Sequence, residues 1–429
     1  MRSCGRIPRL PCLRLRHQVR RICFFTSTEK AAFHEDGFVL KPNVLSTADC
    51  IALANHYKDL FAGRFPTHTF PDEWHWRENL SLPTAVREIV NGWKSSPAVA
   101  RVALSPNLGR AASALLDWTH GARLGQDDVL WKPAGAGGVG FHQDSAYISD
   151  QFLPRDDNSV TVWIALDDAD ESTGTVEYAV GSHRWRRQAE QTSTSTSSSR
   201  GGDPSSQAVE GDGSKGDVAS NAVNSSFHAS DGDVAEPARI AARAAGLAPS
   251  AVELRSVAVP RGGAVFHHQD CWHGSRANTH TRRPRRALAI HLVRRDVVFR
   301  RSPPPDYIYG RYVLGRGSTR VSDAFFPVVW APDGSHANSD AARLLRRSGL
   351  VPHVDEEPTT LIEEAEQQDE EEAVGGSEKE TWPRPPLIAA WEGSGTQPGR
   401  TVVSMLDAWR QAGEQDEAEH NHSLGIDAL

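Results

Sequence analysis

The chain has 429 residues, with 47 Lys and Arg against 55 Asp and Glu for a formal net charge of −8. No run approaches the roughly 18 apolar residues of a membrane span, so no spanning segment is expected, and nothing singles out a nucleic-acid partner. Of the five cysteines, Cys4, Cys12 and Cys23 crowd the first two dozen residues, and no Cys-x-x-Cys pair occurs; this argues against a disulfide scaffold or a thiolate zinc site and for a reducing compartment.

Residues 1–28 hold seven arginines and no acidic side chain, interspersed with Leu, Ile and Phe. That is the composition of an organelle-targeting presequence, with Arg20 to Ser27 suited to a processing site and a mitochondrial or other organelle matrix as the destination. Pro8 and Pro11 interrupt the amphipathic helix such a segment needs, and a basic tail on a cytoplasmic protein is the alternative. The ending Asp427-Ala428-Leu429 is not of the peroxisomal Ser-Lys-Leu type. Folded structure is expected from Glu29. Ser46-Thr47-Ala48-Asp49 reads as a capping box opening a helix with Leu53, Ala54, Tyr57 and Phe61 on one face. Ser105-Pro106 opens another, carrying Leu108, Ala112, Leu115 and Leu116.

From Asp128 the pattern changes to short Val-, Ile- and Trp-containing runs punctuated by Gly, Pro, Asp and Asn, which are strand signals. Helices followed by a run of strands predict a mostly β domain, helices packed outside a double-sheet jelly roll, over residues 29–335. Residues 187–235 are rich in Ser, Thr, Gly and Asp and too poor in apolar groups to offset ordering entropy, so a disordered insertion is expected there. A helix over 237–245 ends it, and strands resume at Val252-Glu253-Leu254 and continue to Val298. Residues 336–429 read as a largely disordered acidic tail, with an acidic run over 356–380 and a short helix near 402–411.

The chemistry concentrates in Gly140-Phe141-His142-Gln143-Asp144-Ser145-Ala146-Tyr147. His-x-Asp on a strand puts an imidazole and a carboxylate on one face, because side chains alternate. A third ligand from a distant strand would complete a two-His, one-carboxylate set that leaves positions open on a non-haem Fe(II). Five imidazoles stand downstream, His267, His268, His273, His280 and His291, and spacing alone does not choose among them. His268-Gln269-Asp270 even repeats the first triplet.

The motif has ordered company. Val129-Leu130-Trp131-Lys132-Pro133 precedes it, and a Val- and Trp-containing strand through Trp163 follows. Then come Gly181-Ser182-His183, Arg261-Gly262-Gly263, His273-Gly274-Ser275-Arg276-Ala277-Asn278 and Arg285-Arg286-Ala287-Leu288. In this order the chain resembles the phytanoyl-CoA dioxygenase family of Fe(II)- and 2-oxoglutarate-dependent oxygenases, over residues 30–330 apart from the insertion. The resemblance implies a double-stranded β-helix of the cupin-like kind, with iron held by His142, Asp144 and His273. It also implies 2-oxoglutarate and O2 as co-substrates and a small-molecule substrate, with protein partners unknown. Only His273 stands in the family's His-Gly-Ser-x-x-Asn context.

The far carboxylate of 2-oxoglutarate calls for a cation, and an arginine clamps a carboxylate with two parallel bonds. The family's position falls on Arg285, although the gap from His273 is one residue longer than in relatives. Arg282, Arg283 and Arg286 stand beside it, so the register with Arg286 stays open. Trp163 matches the tryptophan that walls the co-substrate pocket, its strand placing Thr161, Trp163 and Ala165 on one face. Tyr147 is a candidate contact to co-substrate or substrate. Lys132 is either a charge near the pocket or a surface strand lysine. Ser275 and Asn278 are expected to fix the loop around His273, and Gly181-Ser182-His183 to build a turn. Halogenating relatives replace the ligand carboxylate by a small residue; Asp144 is present, so hydroxylation is expected. A cupin-like metal protein without 2-oxoglutarate, an inactive scaffold of the same fold, and a zinc hydrolase are the other readings of these residues.

Overall fold

The computed structural model describes residues 24–185, 233–301, 308–315 and 317–339. The bulk of the basic N-terminal stretch, the insertion over 186–232, and the C-terminal acidic run with its short helix all lie outside the described residues.

Five α-helices are described: α1 (Ser27–Asp36), α2 (Thr47–Phe61), α3 (Pro97–Ala103), α4 (Pro106–Leu115) and α5 (Glu236–Ala244). The strands are β1 (Phe38–Lys41), β2 (Glu73–Trp74), β3 (Arg87–Val90), β4 (Ala122–Lys132), β5 (Val139–His142), β6 (Phe152–Leu153) and β7 (Ser159–Ala165). Then follow β8 (Val176–Ala179), β9 (Leu254–Ser256), β10 (Ala264–His268), β11 (His273–Ser275), β12 (Arg285–Arg294), β13 (Val298–Phe299) and β14 (Val328–Trp330). They form a large antiparallel sheet in the order β1-β10-β7-β12-β4-β3-β2, with β14 also on β4, and a four-stranded sheet in the order β5-β11-β8-β9. The domain is the expected mostly β jelly roll with flanking helices.

Alternation divides the large sheet into two faces. On β7, Val160, Val162 and Ile164 join Phe266 of β10 and Leu288, Ile290 and Leu292 of β12 under the helices α2 to α4. The opposite face, with Thr161 and Trp163, looks toward the small sheet. Burying the first face removes several large apolar side chains from water, each fully buried one contributing about 1.5–3 kcal/mol. That layer fixes the large sheet as a rigid floor.

The fold begins earlier than Glu29. Phe25 is buried in edge-to-face contact with Phe266 at 5.1 Å, and the Thr26 side chain caps α1 in a reciprocal box with Glu29. Two consecutive phenylalanines beside arginines looked like presequence, whereas here they close the outer core. The Ser46 cap of α2 is present, but Asp49 does not complete a box; the Asp49 amide donates to Ser46 Oγ and the Ser46 hydroxyl to the Asp49 carboxylate. α3 was not anticipated, its seven residues being too few for a periodicity to stand out, and β4 starts six residues before Asp128. α5 falls one residue earlier than expected, and the strand expected at 252–254 runs over Leu254–Ser256. At the end of the insertion, Val234 accepts the amide of Phe141 at 2.8 Å and Ala235 is fully buried, so the fold takes back the chain from Asp233.

Candidate active site

His142 closes β5 and Asp144 opens a 3-10 turn, with Gln143 extended between them, so the two side chains share a face as the His-x-Asp spacing requires. His273 opens β11 directly opposite His142, the rings 4.3 Å apart. The approach of β11 to β5 needs a glycine next: a Cβ at Gly274 would sit 2.5 Å from the Phe141 ring and 2.8 Å from the Val139 carbonyl. One donor atom from each of His142, Asp144 and His273 can be chosen so that all lie within 4.8 Å of one another. Asp144 Oδ1 is 3.8 Å from His142 Nε2 and 3.6 Å from His273 Nε2.

The rings are prepared for ligation. Nδ1 of His142 faces the Gly140 carbonyl at 2.9 Å and Nδ1 of His273 faces the Cys271 carbonyl at 2.9 Å. A carbonyl only accepts, so each Nδ1 carries the proton and each Nε2 keeps its lone pair for the cluster. Burial, with the neighbouring imidazole, lowers His142 to about 4; burial also takes His273 to about 4 against the pull of Asp144. Burial alone would raise Asp144, but His273, His291 and His267 around it hold its carboxyl well below the usual range. Two neutral imidazoles and one carboxylate are therefore available together, a donor set that suits Fe(II).

The other oxygen of Asp144 is occupied by the large sheet. Thr161 Oγ1 and His267 Nε2 both donate to Oδ2, the latter at 2.9 Å, and the Tyr178 hydroxyl faces His267 Nδ1 at 3.2 Å. Thr161 also meets His291 Nδ1 at 2.7 Å, and His291 Nε2 meets Asp128 at 2.7 Å. Burial opposes a charge on His291, but Asp144 and the hydrogen-bonded Asp128 raise its pKa above the ordinary value. Gln126 and then Tyr309 extend the chain of hydrogen bonds from Asp128. Of this network, the sequence places Thr161 on the Trp163 face and offers the histidines only as candidate imidazoles; nothing local marks the Asp144 they share.

These groups face a cavity of about 300 Å3 between the sheets. Arg285 reaches into it at 4% exposed, its guanidinium carbon 5.2 Å from the centre of the Trp163 ring, and its Nε has no hydrogen-bond partner among the described residues. Burial lowers it to about 10 while Tyr178 opposes the fall. Arg286 points to the other face, where both oxygens of Asp167 and the Ala54 carbonyl take it up. Tyr147 lines the cavity beside His142, and burial pushes its hydroxyl up to about 12.

Lys132 is not the surface lysine of one expectation but a charge near the pocket, beside Ser275 and Arg285 of its lining. It is fully buried rather than on the surface, yet it is not among the side chains lining the cavity. Its ammonium donates to Ser275 Oγ at 2.8 Å and to the Arg276 carbonyl, holding the loop after His273. Asn278 does similar work through the carbonyls of Pro133 and Arg283, at 3.0 and 2.9 Å. The decoy triplet is structural. His268 pairs with Asp157, Gln269 accepts the Ser159 amide, and Asp270 takes a two-pronged bond from Arg155. His280 caps the amides of Arg282 and Arg283 on the exposed loop before β12. Ser182 accepts the Trp272 amide, so the Gly181-Ser182-His183 turn braces the strand that carries His273.

A family model described as Phytanoyl-CoA dioxygenase (PhyH) matches residues 33–287. No curated protein matches the chain. Among solved structures, the non-heme alpha ketoglutarate dependent carbocyclase SnoK from nogalamycin biosynthesis is 19% identical, over 71% of this chain and 96% of its own, with a TM-score of 0.48. EctD from S. alaskensis with 2-oxoglutarate and 5-hydroxyectoine is 17% identical, over 66% of this chain and 83% of its own, at 0.45. EvdO2 from Micromonospora carbonacea var. aurantiaca, complexed with 2-oxoglutarate, is 20% identical, over 66% of this chain and 95% of its own, at 0.39.

Proposed function

The chain belongs to the phytanoyl-CoA dioxygenase family, and from that premise we propose that it is an Fe(II)- and 2-oxoglutarate-dependent hydroxylase of a small organic or acyl substrate. The observation that carries the reading is the coincidence, in one cavity, of a two-His, one-carboxylate cluster and a buried arginine with an unsatisfied donor. The residues fit the group they would hold. Both Nε2 atoms are unprotonated and directed at the cluster, and the carboxylate is ionised with one oxygen turned toward them.

His142, Asp144 and His273 would hold the iron, and Arg285 would take the far carboxylate of 2-oxoglutarate. Bound iron supplies the redox chemistry that couples decarboxylation of 2-oxoglutarate by O2, to succinate and CO2, with oxidation of a C–H bond. The chain's own part is positioning. Thr161 and His267 fix the Asp144 carboxylate by its second oxygen, so that it meets the metal already oriented. Trp163 packs over the Arg285 guanidinium and restricts it to the co-substrate end of the cavity. Tyr147, whose ring meets His142 edge-on in the cavity wall, would cover one side of the reacting centre. Closure between two sheets keeps that centre apart from bulk solvent.

Succinate release from 2-oxoglutarate by purified chain, with and without added Fe(II), tests the reading. Iron-dependent succinate is the expected result. Iron binding without any 2-oxoglutarate consumption would leave the cupin-like metal protein instead.

A further inference from the structure

The wall of the cavity on the far side from Arg285 is acidic. Strand alternation puts Asp128 of β4, Glu88 of β3 and Glu73 of β2 on the face that looks into the cavity, on three strands that lie side by side. Strands lie about 4.8 Å apart, so Glu88 stands two spacings, roughly 10 Å, from the β12 column of Arg285 and His291. Two of the three carboxylates already have partners. Asp128 is bonded to His291 and Gln126, and Glu73 meets His75 at 2.8 Å at the exposed rim. The Glu88 carboxylate, partly buried between them, makes no side-chain hydrogen bond or ion pair among the described residues. A second, independent sign that the cavity is built for ligands is Arg285, 4% exposed and with a donor to spare.

From this division we infer that the substrate carries a cationic group, an ammonium or similar nitrogen cation, which Glu88 receives while the C–H bond to be oxidised lies toward His142 and His273. The inference rests on the oxygenase reading, from which it takes the assignment of Arg285 to 2-oxoglutarate. With that arginine engaged, the cavity lining offers no lysine or second arginine, and His291 is hydrogen-bonded to Asp128. What remains without a partner on this wall is the Glu88 carboxyl, since His75, which also lines the cavity, is taken by Glu73. Burial, and then the neighbouring Asp128, push Glu88 up to about 8, and a substrate cation beside it would favour the ionised carboxylate. The same wall disfavours a coenzyme A thioester entering on this side, since its phosphates would be brought against Glu73 and Glu88.

The test compares three six-carbon probes that differ only in their head group: hexylamine, hexanol and hexanoate. Their binding to the full chain is measured by calorimetry under nitrogen, with Fe(II) and 2-oxoglutarate present and again with both left out. Hexylammonium should bind about tenfold or more tighter than the other two, as a charge-assisted hydrogen bond requires. Glu88→Gln should remove that preference while hexanol binding stays as it was, and Glu88→Asp should restore part of it. With 2-oxoglutarate on Arg285, hexanoate binding as tightly as the amine, or no amine binding at millimolar concentration, overturns the inference. So does an amine preference that survives intact in Glu88→Gln. Should Glu88→Gln not fold, as judged by its circular dichroism melt, the order of the three probes on the unaltered chain decides. Failure of 2-oxoglutarate to bind the iron-loaded chain, with the amine preference intact, would sink the oxygenase reading and leave the acidic pocket standing.

Discussion

Arg285→Lys tests the proposed co-substrate clamp. The substitution keeps a cation but loses the planar fork that meets both oxygens of a carboxylate. A charge-assisted hydrogen bond is worth about 1.5–3 kcal/mol, and each 1.4 kcal/mol is tenfold, so the dissociation constant for 2-oxoglutarate should rise roughly ten- to a hundredfold. The surroundings favour the upper end. Position 285 pairs with Lys132 across β12 and β4, and burial followed by the Arg285 charge already holds the Lys132 ammonium well below its ordinary pKa. A second lysine there would be less firmly charged than the guanidinium it replaces. Arg286→Lys is the control: it weakens an ion pair with Asp167 on the outer face and should cost stability but little affinity. The assay is calorimetry of 2-oxoglutarate into iron-loaded protein under nitrogen, with the Michaelis constant from succinate release as a second readout. Equal effects of the two substitutions, or a large effect of Arg286→Lys alone, would refute the register and with it the clamp.

Asp144→Ala and His273→Ala should each weaken Fe(II) binding by about a hundredfold or more in anaerobic titration, whereas His268→Ala, whose partner is Asp157, should not. Thr161→Val and His267→Phe each remove a donor to Asp144 Oδ2 without touching the three ligands, and about a ten- to hundredfold loss of iron affinity is expected from either; unchanged affinity in both would show that the carboxylate needs no such support. Phe25→Ala should cost about 3–5 kcal/mol in urea unfolding because the ring is 1% exposed against Phe266; a loss below about 1 kcal/mol would put the start of the fold back at Glu29. Burial raises Asp127 from 3.8 to about 8, so the folded state binds its proton where the unfolded chain has released it. That contribution to stability is full below about pH 4 and falls as pH rises toward about 8; Asp127→Asn should flatten the slope in thermal melts across that window, and an unchanged slope would assign it elsewhere.

The jelly roll was legible because each β7 position obeys the period of two: Val162 and Ile164 went to the core and Thr161 and Trp163 to the cavity, as their alternation implied. The same rule decided between Arg285 and Arg286 once the strand was paired. It could not choose at Lys132. Gln126, Asp128 and Lys132 alternate along β4 like a solvated face, but a binding cavity also wants polar groups on one face of a strand, and the sequence pattern is identical for both. The two His-Gln-Asp triplets show a similar limit. Only the chain folded around them turns 142–144 toward a third ligand and hands 268–270 to Arg155 and Asp157. The support of Asp144 was beyond reach for a simpler reason: Thr161, His267 and the His291 that meets Thr161 come together across 17, 123 and 130 residues of chain, with nothing local to mark them.

The two-sided Asp144 has a bearing on how this chain could change its chemistry. In halogenating relatives a small residue at the ligand position makes room for chloride. Here the carboxylate also ties the small sheet, through β5, to Thr161 and His267 of the large one. Replacing it by glycine would strand two inward-facing donors at once, each at a cost of about 1–3 kcal/mol, a large share of the stability of an ordinary domain. A route from the proposed hydroxylation to halogenation would therefore run through positions 161 and 267 as well, which would have to become apolar before or together with the loss of Asp144. The second oxygen of one carboxylate makes reaction type and sandwich closure inherit together.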